Sequence, residues 1–274
     1  MNYYYLISGL PDLHIDNAKT APALVDLLRA WEGELAPEDM QLLNILRYSY
    51  DNRNLLAFMA NRDAALNLVG TLTTADWIEL FALMDEAETP HDNRLKPYML
   101  QFYRTVTDEK SSAAIASKED LLTTLYYDYA AQCGNRFLAA WFEFQLNLNN
   151  VLTAVTCRKH GFDLQAAIIG DNELAQRMRS SSAADFGLKG LMDDADRILA
   201  VAEDDNILTR EHKIDALKWA WLEEHTFFDF FGVEHLLAYW LQCELLQRWR
   251  GLSIDKGRKL FSTMLDTLKQ DVKF

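Results

Sequence analysis

Apolar side chains recur along this chain at the spacing of a helix face. After Gly134, the residues Phe137, Trp141, Phe144, Leu148, Val151 and Val155 follow one another at intervals of four, three, four, three and four. That rhythm draws one stripe on a helix and fits no strand. The edge of the stripe carries Glu143, Asn147, Asn150 and Arg158. Ile214, Leu217 and Trp221 form a second stripe, and Leu237, Trp240 or Leu241, and Leu245 a third. The one β-like run is Tyr3-Tyr4-Tyr5-Leu6-Ile7, ended by Ser8-Gly9, expected as a short strand or an extended arm. The pattern predicts an all-α fold with helices of roughly 10 to 25 residues.

Start signals locate the helices. Thr20 with Pro22 opens one, and Pro37 with Glu38 and Asp39 opens another; proline suits a first turn, where its missing N–H is not needed. Thr73 or Thr74 precedes Asp76, and Ser117 stands three residues before Asp120, the arrangement of a capping box with Asp for the usual Glu. Ser253 opens a last helix expected to run to about Asp271. All five prolines lie in the first 97 residues, which leaves the remainder free for long helices. Breaks are expected at Thr89-Pro90-His91, Thr107 to Ala116, Ser180 to Gly190 and Glu203 to Asn206. None is long enough for a disordered linker, so the chain is expected to form one body.

A polar pattern occurs twice within the helical text. Asp51-x-x-Asn54-Leu55-Leu56 is followed by Arg62, and Asn147-x-x-Asn150-Val151-Leu152 is followed by Arg158. Corresponding residues stand 96 positions apart, Asn54 to Asn150 and Arg62 to Arg158. A looser third copy is Glu244-Leu245-Leu246 with Arg248 and Arg250 behind it. A fixed period means one structural unit built more than once. It divides the chain into approximate repeats 1–110, 111–205 and 206–274. Asparagine is a mediocre helix former, and Asn150 borders an apolar stripe, so its amide needs partners if buried. An Asp or Asn one turn earlier and an Arg two turns later are candidate partners. The plainer reading is that these are polar groups at the edge of a face, with no shared role.

Composition narrows the function classes. Half of the 274 residues are apolar, and the formal net charge is −14 at pH 7. Such an acidic chain is a poor partner for nucleic acid phosphates or anionic lipid surfaces, and a fitting one for a basic protein. Cys133, Cys157 and Cys243 are widely spaced, without a C-x-x-C pair. Reduced thiols in a cytosolic setting are expected. Met1 to Asp12 lacks the basic start and cleavage site of a signal peptide, and no run reaches membrane-spanning length.

Three windows carry a resemblance to a known family. Tyr48-x-Tyr50-Asp51-Asn52-x-Asn54-Leu55-Leu56 resembles the first signature helix of the C-type central-stalk subunits of V/A-type ATPases, known as the d-type in eukaryotes. Leu148-Asn149-Asn150-Val151-Leu152-Thr153-Ala154, with Arg158 and Gly161, resembles the second. Phe231-x-x-Glu234, Ala238-Tyr239 and Glu244-Leu245-Leu246 resemble the third. The opening Tyr3-Tyr4-Tyr5-Leu6 is similar to that family's start, and to that of a divergent bacterial group associated with these ATPases. Arg53 and Asn61 in the first helix, and Cys243 where the family often has a basic residue, depart from the pattern.

The resemblance implies three similar helical units arranged with pseudo-threefold symmetry as a funnel or socket. It implies a non-catalytic central-stalk protein that links the rotor shaft to the membrane proteolipid ring, without a cofactor. Its partners would be the shaft subunits and the ring, and its place the cytoplasm, peripheral to the inner membrane through the complex. The residues to which it assigns a structural or interaction role are Asp51, Asn54, Arg62, Asn147, Asn150, Arg158, Glu234, Tyr239 and Glu244.

Other function classes have weaker support in the residues. Glu223-Glu224-His225 and Glu234-His235 are the best candidates for a carboxylate–histidine metal enzyme. Neither Glu-x-x-His nor His-Glu-x-x-His occurs there, and Gly232 interrupts any helix joining them. Cys157 beside Arg158 and Lys159 is the one thiol in a basic setting, which can lower a thiol pKa. No nucleotide-binding glycine motif occurs. An α-helical interaction scaffold is the remaining alternative, although solenoid periods are about half the spacing seen here.

Overall fold

The computed structural model describes residues 2–87, 90–112, 115 and 117–250. All regular structure in them is helical. In chain order the helices are α1 (Tyr4–Ser8), α2 (Leu24–Trp31), α3 (Pro37–Ala60), α4 (Thr74–Glu86), α5 (Pro97–Thr107), α6 (Glu109–Ser112) and α7 (Lys118–Ala131). They continue with α8 (Arg136–His160), α9 (Leu164–Ala167), α10 (Glu173–Ser180), α11 (Ala195–Ala202), α12 (Ile207–Thr226) and α13 (Val233–Arg250). The helix expected from Ser253 to Asp271, and Thr89 of the first expected break, lie outside the described residues.

Local chemistry accounts for the boundaries. Pro37 occupies the first turn of α3, with Glu38 and Asp39 beside it. Thr73 accepts from the Asp76 N–H at 3.2 Å while the Asp76 carboxylate accepts from the Thr73 N–H at 2.8 Å, a reciprocal box that starts α4. Ser117 caps α7 by accepting from the Asp120 N–H at 3.1 Å. Helix α8 starts on Asn135, which accepts from the Leu138 N–H. It stops at Gly161, whose φ of 71° lies in the left-handed region that a side chain disfavours.

Two expectations are corrected. The tyrosine run is neither strand nor extended arm: Tyr4–Ser8 closes one helical turn, with the Ile7 N–H donating to the Tyr3 carbonyl. A strand needs an edge to pair with, and no strand occurs among the described residues. Within the expected break at Thr107 to Ala116, α6 forms a single turn that Asp108 caps through Ser111.

The chain separates into two compact units, Met1–Glu34 with Lys218–Phe274, and Leu35–Leu217. Their boundaries fall at other positions than 110/111 and 205/206, and one lies inside α12. In the larger unit α5 packs on α7, α7 on α8 and α8 on α11. The α8 stripe is its spine: Phe137, Trp141, Phe144, Leu148 and Val151 are buried, and Val155 is half-buried. Each fully buried side chain of this size stabilises the fold by about 1.5–3 kcal/mol. In the smaller unit Trp31 of α2 meets Trp240 of α13, ring centroids 6.2 Å apart. No helix among the described residues is long and apolar enough to cross a membrane.

Candidate functional site

The repeated asparagines do the same thing twice. Asn54 is 3% exposed on α3. Its Nδ2 donates to the Asn67 carbonyl at 3.0 Å, and its Oδ1 accepts from the Asn67 N–H at 2.8 Å. Asn150 is 1% exposed on α8. Its Nδ2 donates to the Ile169 carbonyl at 2.8 Å, and its Oδ1 accepts from the Ile169 N–H at 3.1 Å. In each copy one side-chain amide satisfies both backbone groups of one loop residue. A buried peptide needs such partners, because an unmet polar group costs about 1–3 kcal/mol.

The residue one turn earlier extends the grip along the loop. Asp51, fully buried, accepts from the Thr71 N–H and hydroxyl and from the Leu72 N–H. Asn147 accepts from Asn172 Nδ2 at 2.8 Å, and Asn172 itself caps α10 by accepting from the Ala175 N–H. The first clamp therefore fixes the loop that enters α4, and the second fixes the loop that enters α10.

An arginine closes each clamp from a position the repeat does not mark. Arg47 donates from Nε to the Val69 carbonyl and from Nη2 to the Gly70 carbonyl. Arg179 donates from Nη2 to the carbonyls of Ile168 and Gly170. Arg47 lies one turn before Asp51 on the same face of α3, a spacing that was available as a signal. Arg179 comes from α10, and nothing in the repeated pattern points to it.

Arg62 and Arg158 have a different role from the expected one. Neither of the bonded pairs that hold Asn54 and Asn150 includes them. The Arg62 guanidinium lies 4.0 Å from the Phe81 ring centroid and 4.9 Å from that of Phe58. The Arg158 guanidinium lies 3.6 Å from that of Phe186 and donates to the carbonyls of Ala183 and Ala184. Both arginines are exposed and cover a buried phenyl face. Phe186 holds a left-handed backbone, φ 54°, inside the segment expected only as a break.

The third window is built otherwise. Glu244 accepts from Trp240 Nε1 on its own helix at 3.0 Å, and Tyr239 donates its hydroxyl to the Pro11 carbonyl at 3.0 Å. Glu234 sits in the first turn of α13. Loop carbonyls are nevertheless held here too: Gln247 donates to Pro22 and Arg250 to Ala21, both 2.9 Å. These residues precede α2, so the last turns of α13 also secure the entry to another helix. In this case the secured loop lies more than 200 residues earlier in the chain.

Comparison with known proteins reaches nearly the whole chain. A family model described as DUF2764, protein of unknown function, matches residues 1–272. The chain belongs to this family. No curated protein and no solved structure matches it.

Both buried thiols of this DUF2764 chain are shifted upward. Burial pushes the Cys157 thiol up, with the Asp163 charge adding to it. Cys157 is a buried thiol near the end of α8, and the neighbouring cations point to other partners, Arg158 to Phe186 and Lys159 to Asp205. Burial likewise raises Cys243 to about 12. Among the described residues no three His, Cys, Asp or Glu side chains are grouped so as to hold a metal ion. In the metal candidates of the sequence, Glu223 accepts from Trp219 Nε1 and the His225 ring stacks on Trp221 at 3.7 Å.

Tight packing at the first clamp gives a direct test. A Cβ on Gly70 would stand 2.5 Å from Asp51 Oδ1 and 2.9 Å from Asn54 Nδ2. Gly70→Ala is expected to destabilise the protein by about 1–3 kcal/mol, the usual range for overpacking. Urea denaturation measures it, and an unchanged midpoint would mean that the loop moves aside freely.

Proposed function

We propose that this chain is a non-catalytic coupling component of a V/A-type ATPase, standing between the central rotor shaft and the proteolipid ring. The observation that carries the reading is the doubled clamp. Asn54 and Asn150 lie in the two windows that resemble the family's signature helices, and both bind one loop residue through N–H and C=O together. A part that transmits torque has to resist deformation, and a loop bonded to the buried face of a long helix, α3 in one copy and α8 in the other, resists it. The three signature windows would then mark three related units around a pseudo-threefold axis, forming a socket for the shaft. Glu234, Tyr239 and Glu244 would belong to the third unit. No cofactor has a task in this role.

Charge supports the choice of partner. A net charge of −14 favours association with basic protein surfaces through its long-range field. The test is binding of the purified chain to the shaft subunits of its own organism's V/A-type ATPase. Association is expected at low salt and slower as salt rises, since the Debye length shrinks from about 10 Å at 0.1 M to about 3 Å at 1 M. Absence of binding to every shaft subunit at low salt would end the proposal.

A further inference from the structure

The smaller unit displays its aromatic side chains outward at one place. Between α12 and α13 the sequence reads Phe227-Phe228-Asp229-Phe230-Phe231-Gly232, and all four phenylalanines are exposed, Phe228 by 88%. Tyr4 of α1 joins them, its ring 4.4 Å from that of Phe231, and the neighbouring Tyr5 is 97% exposed. These two short segments hold six of the twelve large apolar side chains exposed among the described residues. Scattered exposed apolar residues are ordinary, whereas a contiguous group marks a contact surface.

The tip is held in shape. The Tyr3 N–H donates to the Phe231 carbonyl at 2.7 Å, which fixes the start of the chain against the turn. Asp229 accepts from the N–H groups of Gly232 and His235 at 3.0 and 3.1 Å, closing the turn and capping the start of α13. A Cβ on Gly232 would stand 2.4 Å from Asp229 Oδ1, so a side chain there would displace the carboxylate that closes the turn. Rings displayed on a fixed backbone lose little entropy when covered, which is the character of binding anchors.

Charge selects the occupant. From Trp219 to Tyr239 there are four carboxylates, Glu223, Glu224, Asp229 and Glu234, and no Lys or Arg. Glu223 and Glu224 are exposed at the end of α12, next to the aromatic run. A membrane-surface element pairs its apolar residues with Lys and Arg, the reverse of this arrangement. A second copy of the chain would bring the same carboxylates against these.

We propose that the aromatic tip docks an amphipathic helix of another protein, with apolar side chains on one face and Lys or Arg along its borders. The phenylalanines cover the apolar face, and Glu223 and Glu224 meet the basic border. The inference is independent of the coupling role, since a partner in any assembly satisfies it.

The test uses the full chain and two labelled synthetic helices with the same leucine face, one bordered by Lys and Arg and the other by Glu. Fluorescence anisotropy is expected to show the basic helix binding on the order of tenfold tighter or more. Phe228→Ser combined with Phe230→Ser is expected to abolish that binding while the circular dichroism and melting temperature stay unchanged, because both rings are exposed. Glu223→Gln with Glu224→Gln is expected to reduce the preference for the basic helix. Binding that survives loss of the two rings would reduce the effect to general attraction by an acidic protein and overturn the proposal. Equal affinity for the two helices would overturn it as well. So would attachment to phosphatidylcholine vesicles, or self-association, that disappears in the same double variant while neither helix binds.

Discussion

Replacing Asp51 by alanine is expected to lower the free energy of unfolding by about 3 kcal/mol or more. The side chain is fully buried and accepts from three donors, the Thr71 N–H, the Thr71 hydroxyl and the Leu72 N–H. All three lose their acceptor together, and the loop that leads into α4 loses its anchor. Asn150→Ala removes one amide that serves both groups of Ile169, and about 1–3 kcal/mol is expected there. Urea unfolding of both variants checks this. Curves within a few tenths of the parent would reduce these residues to solvated edge groups.

Asp51 also makes a specific pH signature. Burial raises its pKa above the ordinary 3.8, against the opposing effect of its hydrogen bonds and of Arg47. Between the unfolded and folded pKa values the folded chain therefore binds the extra proton. The protonation-linked part of its contribution is fully present below pH 3.8 and is lost as the pH rises through the folded pKa, while the bonds it accepts remain. The difference in unfolding free energy between the parent and Asp51→Asn should thus shift in favour of the variant across that interval. A constant difference would show that Asp51 titrates alike in both states.

The helical class was legible because its signals are local. Phe137 to Val151 bury the face that their spacing draws, and Thr73 and Pro37 start the helices they announce. The equivalence of Asn54 and Asn150 was legible as a period, but their partners were not. Asn54 reaches 13 residues along the chain and Asn150 reaches 19, so the two loops differ in length and leave no common spacing. The task of the two repeated arginines was hidden for a related reason. Arg62 and Arg158 stack on rings at unequal distances along the sequence, Phe81 and Phe186. The pairing of the first 34 residues with the last helices depends on bonds such as Gln247 to Pro22. Contacts that distant leave no trace in a periodic pattern.

Removing this chain from a V/A-type ATPase is expected to separate ATP hydrolysis from ion pumping, which is the largest functional effect the proposed role allows. In the proposed role hydrolysis belongs to other subunits, so the catalytic head would continue to hydrolyse ATP. Torque would fail to reach the ring if the proposed socket is the connection between shaft and ring. The measurement compares hydrolysis with ion uptake in vesicles containing the complex assembled with and without this chain. Hydrolysis retained with uptake lost is the expected outcome, and adding back the parent chain should restore uptake. Adding back a chain with Asp51→Ala should restore it less well, because a loosened loop between α3 and α4 yields under load. Equal coupling with and without the chain would remove the proposed role altogether. Full restoration by the Asp51→Ala chain would leave the role standing but take the clamp out of it.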